Sequence, residues 1–134
     1  MIFALDSNII SYVLKEDETI INRYRQEAMK GNEYVMPIVV FYEIKRWLLE
    51  RGAKNKQVMF DEMCCTIPLC EFDKHIWDKA AELYVQTRRN GKPTEDADLL
   101  IAAFCIVNKY VLVTNNIRHF EHIDGLKLVN WKET

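Results

Sequence analysis

Short apolar runs and amphipathic helical stretches take turns along the whole chain. Ile2–Asp6, Tyr34–Met36, Cys65–Leu69, Val111–Thr114 and Leu126–Asn130 read as strands. Helical spacing predicts helices over Asn8–Leu14, Glu18–Lys30, Ile38–Arg51, Lys56–Met63, Lys74–Arg89 and Ala97–Asn108. In the second of these Ile20, Ile21, Tyr24 and Ala28 share a face, and Gly31 ends it. Gly52 stops the third in the same way, and "NNIRHFEHIDG" reads as loop or short helix. Strands that alternate with helices predict an α/β fold: a three-layer sandwich with a central, mostly parallel sheet flanked by helices. Ligands of such sheets bind outside the carboxyl ends of the strands. Two polar clusters fall there. Asp6 ends the first strand, and Thr114, Asn115 and Asn116 end the Val111–Val113 run.

Composition narrows the remaining classes. A chain of 134 residues suits one domain, 1–134, with one proper core. Four Gly and three Pro leave no room for a long flexible linker, and there is neither internal repeat nor low-complexity segment. No apolar run reaches the length of a membrane span. The N-terminus lacks the basic, apolar and small-residue regions of a secretion signal, so the expected compartment is the cytoplasm. Cys64, Cys65, Cys70 and Cys105 form no C-x-x-C pair and are expected to be buried, reduced thiols. The net charge of −2 weighs mildly against a nucleic-acid binder and leaves room for a local basic patch.

The acids carry the chemical argument. Asp6 has a plain reading as a helix N-cap. Asp98 has one as a first-turn acid favoured by the helix dipole, and Glu95 and Asp96 as solvated charges. Glu43 is harder to place, because "VVFYEIKRWLL" is mainly apolar. A lone carboxylate facing a core costs several kcal/mol unless it is paired or binds metal; the other reading points it to solvent beside Lys45 and Arg46. Three or four carboxylates gathered at one sheet edge repel one another without a cation. Oxygen-only ligands suit Mg²⁺ or Mn²⁺, and such a site polarises a phosphodiester and activates water.

The order "LDSN", "YEI", "DADLLIAA", "LVTNNIRHF" and "IDGLKLVNW" resembles the PIN-domain ribonucleases, most closely the VapC-type toxins of bacterial toxin–antitoxin pairs. The resemblance spans nearly the whole chain. It implies a Mg²⁺-dependent endoribonuclease, with Mn²⁺ as a possible substitute, whose acids map to Asp6, Glu43 and Asp98, with Asp96 as a further acid. Ser7 stands where Thr is more usual and keeps the hydroxyl. Ser7, Asn8, Thr114, Asn115 and Asn116 then support the site. Many members carry Asp after the Thr of the last motif, whereas this chain has Asn115 and Asn116, which removes a charge. The resemblance also implies an RNA substrate, a cognate antitoxin and a homodimer, for which Glu18–Lys30 and Ile38–Arg51 are the candidate faces. Two other readings stand beside it: a catalytically silent PIN-like module that binds RNA or protein, and a PIN nuclease of RNA processing.

Other residues have plainer expectations. His119 and His122 supply too few ligands for zinc, and Phe120 between them anchors its loop to the core. Helical spacing puts Trp47 and Trp77 in the core. Lys45 and Arg46, with Arg51, Lys54 and Lys56, cluster on and after one helix, and Arg88, Arg89 and Lys92 precede Asp96. Each cluster is either a solvated face or a set of RNA-phosphate contacts, of which Lys45, Arg46, Arg88 and Arg89 are the candidates.

Overall fold

The structure is a computed structural model that describes residues 1–133. Five parallel strands form the sheet: β1 (Ile2–Leu5), β2 (Glu33–Pro37), β3 (Leu69–Cys70), β4 (Val111–Val113) and β5 (Lys127–Val129), in the order β3-β2-β1-β4-β5. Helices α1 (Ser7–Leu14) and α2 (Glu18–Met29) link β1 to β2, and α3 (Ile38–Arg51) and α4 (Lys54–Thr66) link β2 to β3. Helices α5 (Lys74–Arg89) and α6 (Asp96–Asn108) cross back to β4, and α7 (Ile117–Phe120) leads to β5. A 3-10 turn, Trp131–Glu133, follows. From β1 the chain steps one way across the sheet, and from β4 it steps the other way. Right-handed crossovers therefore put α1–α4 on one face and α5–α7 on the opposite face. The strand order reverses between β1 and β4, which is where a parallel sheet opens a crevice.

The core shows why these segments pair. Ala4, Leu5, Met36, Leu112 and Val113 are fully buried, as expected of strands covered on both faces. Ile9, Ile10, Leu14, Val40 and Leu48 pack down from one side, and Leu83, Ile101, Ala102 and Ala103 from the other. Gly52 takes φ 60° and ends α3 as a left-handed cap.

Three expectations need correction. The strand expected over Cys65–Leu69 is only Leu69–Cys70, because α4 continues through Cys64 and Cys65 to Thr66. The short apolar run has no alternation to separate helix from strand, and Pro68, which has no N–H to donate, precedes the true edge strand. Trp77 is 53 % exposed and Trp47 half-buried, while Trp131 is fully buried. Of the thiols only Cys105 is buried; Cys64 and Cys70 are half-buried, Cys65 is exposed, and none is paired.

Candidate active site

Register builds the site before any side chain is considered. Leu5 pairs with Val113 across β1 and β4, so Asp6 and Thr114 leave adjacent strands side by side. The Asp6 N–H donates to the Val113 carbonyl at 3.0 Å. The Thr114 hydroxyl donates to Asp6 Oδ2 at 2.7 Å, the Asn8 amide reaches the same oxygen at 3.3 Å, and the Ser7 N–H donates to Oδ1 at 2.8 Å. Asp6 is thus both the N-cap of α1 and a buried carboxylate at the crevice. Burial pushes its carboxyl above the ordinary range, against the pull of Thr114, Ser7 and Asn8.

Glu43 comes from α3 and Asp98 from the first turn of α6, two helices that touch. Both are half-buried. Glu43 is raised first by burial and then by the negative charges of Asp6 and Asp98, with Arg46 and Ser7 pulling the other way. Asp98 is raised by burial and then by Asp6, with a further push from Glu95. Each of the two therefore senses the charge of its neighbours. Among the described residues, however, no three His, Cys, Asp or Glu side chains are placed so that they could hold a metal ion between them. A hard cation that keeps several waters and takes only one or two carboxylates suits that open arrangement. In chemistry, Asp6, Glu43 and Asp98 offer the oxygen donors that such an ion takes, one or two of them at a time with water completing its shell.

Asp96 lies elsewhere. It is exposed and lines an apolar groove with Trp77, Tyr84 and Leu100. On a helix, residues two apart point about 200° away from one another, so Asp96 and Asp98 serve different surfaces. Glu95, three residues before Asp98, shares its groove instead. Asn115 and Asn116 follow Thr114 as expected but act on the scaffold. The Asn115 N–H donates to the Asn8 side chain at 3.1 Å and its amide donates to the Tyr12 hydroxyl at 2.9 Å. The Asn116 N–H donates to the Thr114 hydroxyl at 3.0 Å, and the Asn116 side chain is exposed.

The basic residues also separate. Arg46 lines a cleft of about 390 Å³ with Ser7, Asn8, Ser11, Glu43 and Trp47. Lys45 turns to Asp61 at 3.8 Å, and Arg88 lies over the Tyr84 ring at 4.5 Å, on the face that carries Asp96. Arg89 is exposed at the end of α5. The cations that line the groove of Asp98 are Lys92 and Arg118. The two histidines divide as well: His119 Nδ1 lies 3.2 Å from Asp98 Oδ2, and His122 Nε2 lies 2.7 Å from the hydroxyl of Thr94. Phe120 is fully buried between them.

Among curated proteins, the chain is similar to Ribonuclease VapC2 of Rickettsia felis, at 27% identity over 132 residues and 98% of each chain. It is also similar to the tRNA(fMet)-specific endonuclease VapC of Shigella flexneri, at 22% identity over 96% of this chain and 97% of the other. Among solved structures, the toxin–antitoxin assembly VapBC2 of Rickettsia felis, bound to a DNA fragment from its promoter, contains a chain with a TM-score of 0.90 and 28% identity. That match covers 98% of this chain and 99% of the other. No helix among the described residues is long and apolar enough to cross a membrane. The family model described as PIN domain matches residues 3–126, and the chain therefore belongs to the PIN-domain family.

Proposed function

We propose that this chain is a metal-dependent endoribonuclease of the VapC type, the toxin of a toxin–antitoxin pair acting in the cytoplasm. The observation that carries the reading is that Asp6 stands at the reversal point of the sheet and that its charge, after burial, holds the carboxyls of Glu43 and Asp98 above their ordinary range. The full-length relatives named ribonuclease and endonuclease support the reaction class. The residues that hold the ion are Asp6, Glu43 and Asp98, and Mg²⁺ or Mn²⁺ is the cation they suit. Such an ion, when bound, supplies Lewis-acid polarisation of the phosphodiester and a more acidic attacking water.

The chain's own residues do the rest. Thr114, Asn8 and the Ser7 N–H fix Asp6. Arg46 on one side and Lys92 and Arg118 on the other flank the acids and serve as phosphate contacts. Asn115 brings no charge and turns its amide N–H to the Tyr12 hydroxyl, and the carboxylate missing at this position suits one ion rather than two. Water as nucleophile leaves a 5′-phosphate and a 3′-hydroxyl. The test is cleavage of a defined RNA and of an initiator tRNA, with Mg²⁺ and with EDTA, followed by end-group analysis. Asp6→Asn is expected to abolish cleavage while the chain stays folded. Cleavage that survives EDTA, or 2′,3′-cyclic phosphate ends, overturns the reading. RNA binding without cleavage by the wild type favours the silent module.

Two partners complete the proposal. The toxin–antitoxin assembly of the similar solved structure supports a cognate antitoxin. A cationic side chain from that partner, Arg above all, satisfies the acidic site and excludes metal and RNA together. A second copy of the chain is the other partner. Beside α2 and α3, a further face for it is α5 and α6, where Trp77, Ala81, Tyr84, Val85, Leu99 and Leu100 line an exposed groove of about 460 Å³. Light scattering is expected to report a dimer for the wild type and a monomer for Trp77→Glu.

A further inference from the structure

The segment after β4 reaches two acids that come from two other elements. Its first residue, Thr114, donates to Asp6. Five residues on, α7 carries His119 to Asp98, a contact that spans 21 residues of sequence. Two anchors fix that helix turn: Phe120 is fully buried, and the His119 N–H donates to the Asn116 carbonyl at 3.0 Å. The plain alternative is an exposed ion pair with no role, since the His119 side chain is 55% exposed and such pairs are worth about 0–1 kcal/mol.

The two acids differ in how they are held. Asp6 accepts from three donors that lock both its oxygens. Asp98 sits in the first turn of α6 at the open side of the crevice, and His119 Nδ1 is the side-chain donor that reaches it. A carboxylate accepts only, so the 3.2 Å contact calls for the proton on Nδ1. That contact engages Oδ2 and leaves Oδ1 as the oxygen that would be offered to an ion.

We infer that His119 is a positioning residue: through Nδ1–H it orients the Asp98 carboxylate for the divalent cation. This deepens the nuclease reading and rests on it. Donors that orient metal-binding carboxylates commonly matter by about 10–100-fold in metal affinity. The geometry also makes a demand that charge alone does not. The amide nitrogen of Asn stands close to where Nδ1 stands in His, whereas that of Gln stands nearer Nε2. Asn at this position is therefore a working substitute, and Gln is not.

The experiment titrates Mn²⁺ into the purified full chain and reads free ion by electron paramagnetic resonance, with no RNA present. It compares wild type, Asp98→Asn, His119→Leu, His119→Asn and His119→Gln, each checked by its melting midpoint. His119→Leu and His119→Gln are expected to weaken Mn²⁺ binding by about 10–100-fold, and His119→Asn to recover most of that loss. RNA cleavage at saturating Mn²⁺ is expected to show the same order in kcat with KM little changed. If His119→Leu binds Mn²⁺ as well as wild type or more tightly, or if Asn performs no better than Gln, the inference is overturned. The outcomes separate the two levels of the argument. Wild type and Asp98→Asn binding Mn²⁺ equally, or neither binding, defeats the metal reading itself. Loss in Asp98→Asn without loss in His119→Leu defeats only the role of His119. Should the Leu variant fail to fold, the Asn and Gln pair still decides.

Discussion

The two ends of β1 are built to opposite standards. Phe3, at the amino end, joins a cluster in which Tyr24 stacks on Tyr34 at 4.2 Å between centroids, and Trp131 meets Phe3 and Tyr34 edge-on at 6.1 and 6.0 Å. The Tyr34 hydroxyl donates to the Tyr24 carbonyl at 2.6 Å. Offset and edge-to-face rings add to the burial of apolar area. Three residues further along the chain, just past the strand, Asp6 opens a cluster of acids in which its charge raises the affinity of Glu43 and Asp98 for protons. One end holds the chain together. The other keeps groups in conflict that a cation relieves. Stability and reactivity are thus separated along a single strand, and substitutions at the two ends should move stability in opposite directions.

The largest expected effect tests the aromatic end. Trp131 is fully buried in the 3-10 turn beyond β5, where it closes the cluster over Phe3, Tyr24 and Tyr34. Truncating a buried Trp to Ala typically costs about 3–5 kcal/mol, which is a large share of the 5–15 kcal/mol, roughly, that small proteins possess. Urea unfolding of Trp131→Ala is expected to show a loss of that size. A loss under about 1 kcal/mol would break the comparison, because the aromatic end would then carry no special share of stability. The effect should extend to the other end of the strand. Next to Trp131, Lys132 reaches Asp17 at 2.6 Å and lies over Tyr12 at 4.4 Å, and Tyr12 accepts from Asn115.

What the sequence made legible follows from how far each signal reaches. The bounds of α3 and α5 could be read directly, since a stop glycine closes one and a continuous helical face runs through the other. Asp6 and Thr114 were legible as residues of one sheet edge because the carboxyl ends of parallel strands share that edge; that they are neighbours depends on the β1–β4 pairing, which the structure shows. The edge strand at Leu69–Cys70 was not, since two residues carry no period. Trp77 was misplaced because α5 has two apolar stripes, and spacing alone does not say which one meets the core. Glu95 was discoverable: three residues before Asp98 on a helix, it shares that face, whereas Asp96 does not. His119 was not, since its contact with Asp98 depends on how α7 docks against α6, which local sequence does not encode.

A smaller effect sharpens the aromatic end. Tyr34→Phe keeps the stacked rings and removes only the hydroxyl that donates to the Tyr24 carbonyl. A single hydrogen bond of this kind is worth about 0.5–1.5 kcal/mol net. The expected loss is of that order, well below that of Trp131→Ala. A loss equal to that of Trp131→Ala would mean that the hydrogen bond, and not ring packing, organises this end.

The smallest expected effect has the opposite sign and a distinctive dependence on pH. Burial, then the charges of Asp6 and Asp98, hold the Glu43 carboxyl above its unfolded value of 4.5. A folded value above the unfolded one means that the native state binds the proton more tightly. That contribution to stability is complete below the unfolded value and is lost as pH rises through the raised folded value. Asp6 and Asp98 shift in the same direction and add to the loss. Metal-free protein should therefore become less stable as pH climbs through this window. Glu43→Gln removes one of the interacting charges, so the variant is expected to melt slightly higher than wild type without metal, with the gap opening as pH rises and closing in acid. Saturating Mg²⁺ should reverse the order, since the cation stabilises a folded state that holds it and the Gln variant binds it less well. The measurement is a set of melting midpoints across pH, with EDTA and with Mg²⁺, for both proteins. If Glu43→Gln destabilised the metal-free protein at neutral pH, Glu43 would be a satisfied structural carboxylate, and the conflict assigned to this end of β1 would not exist.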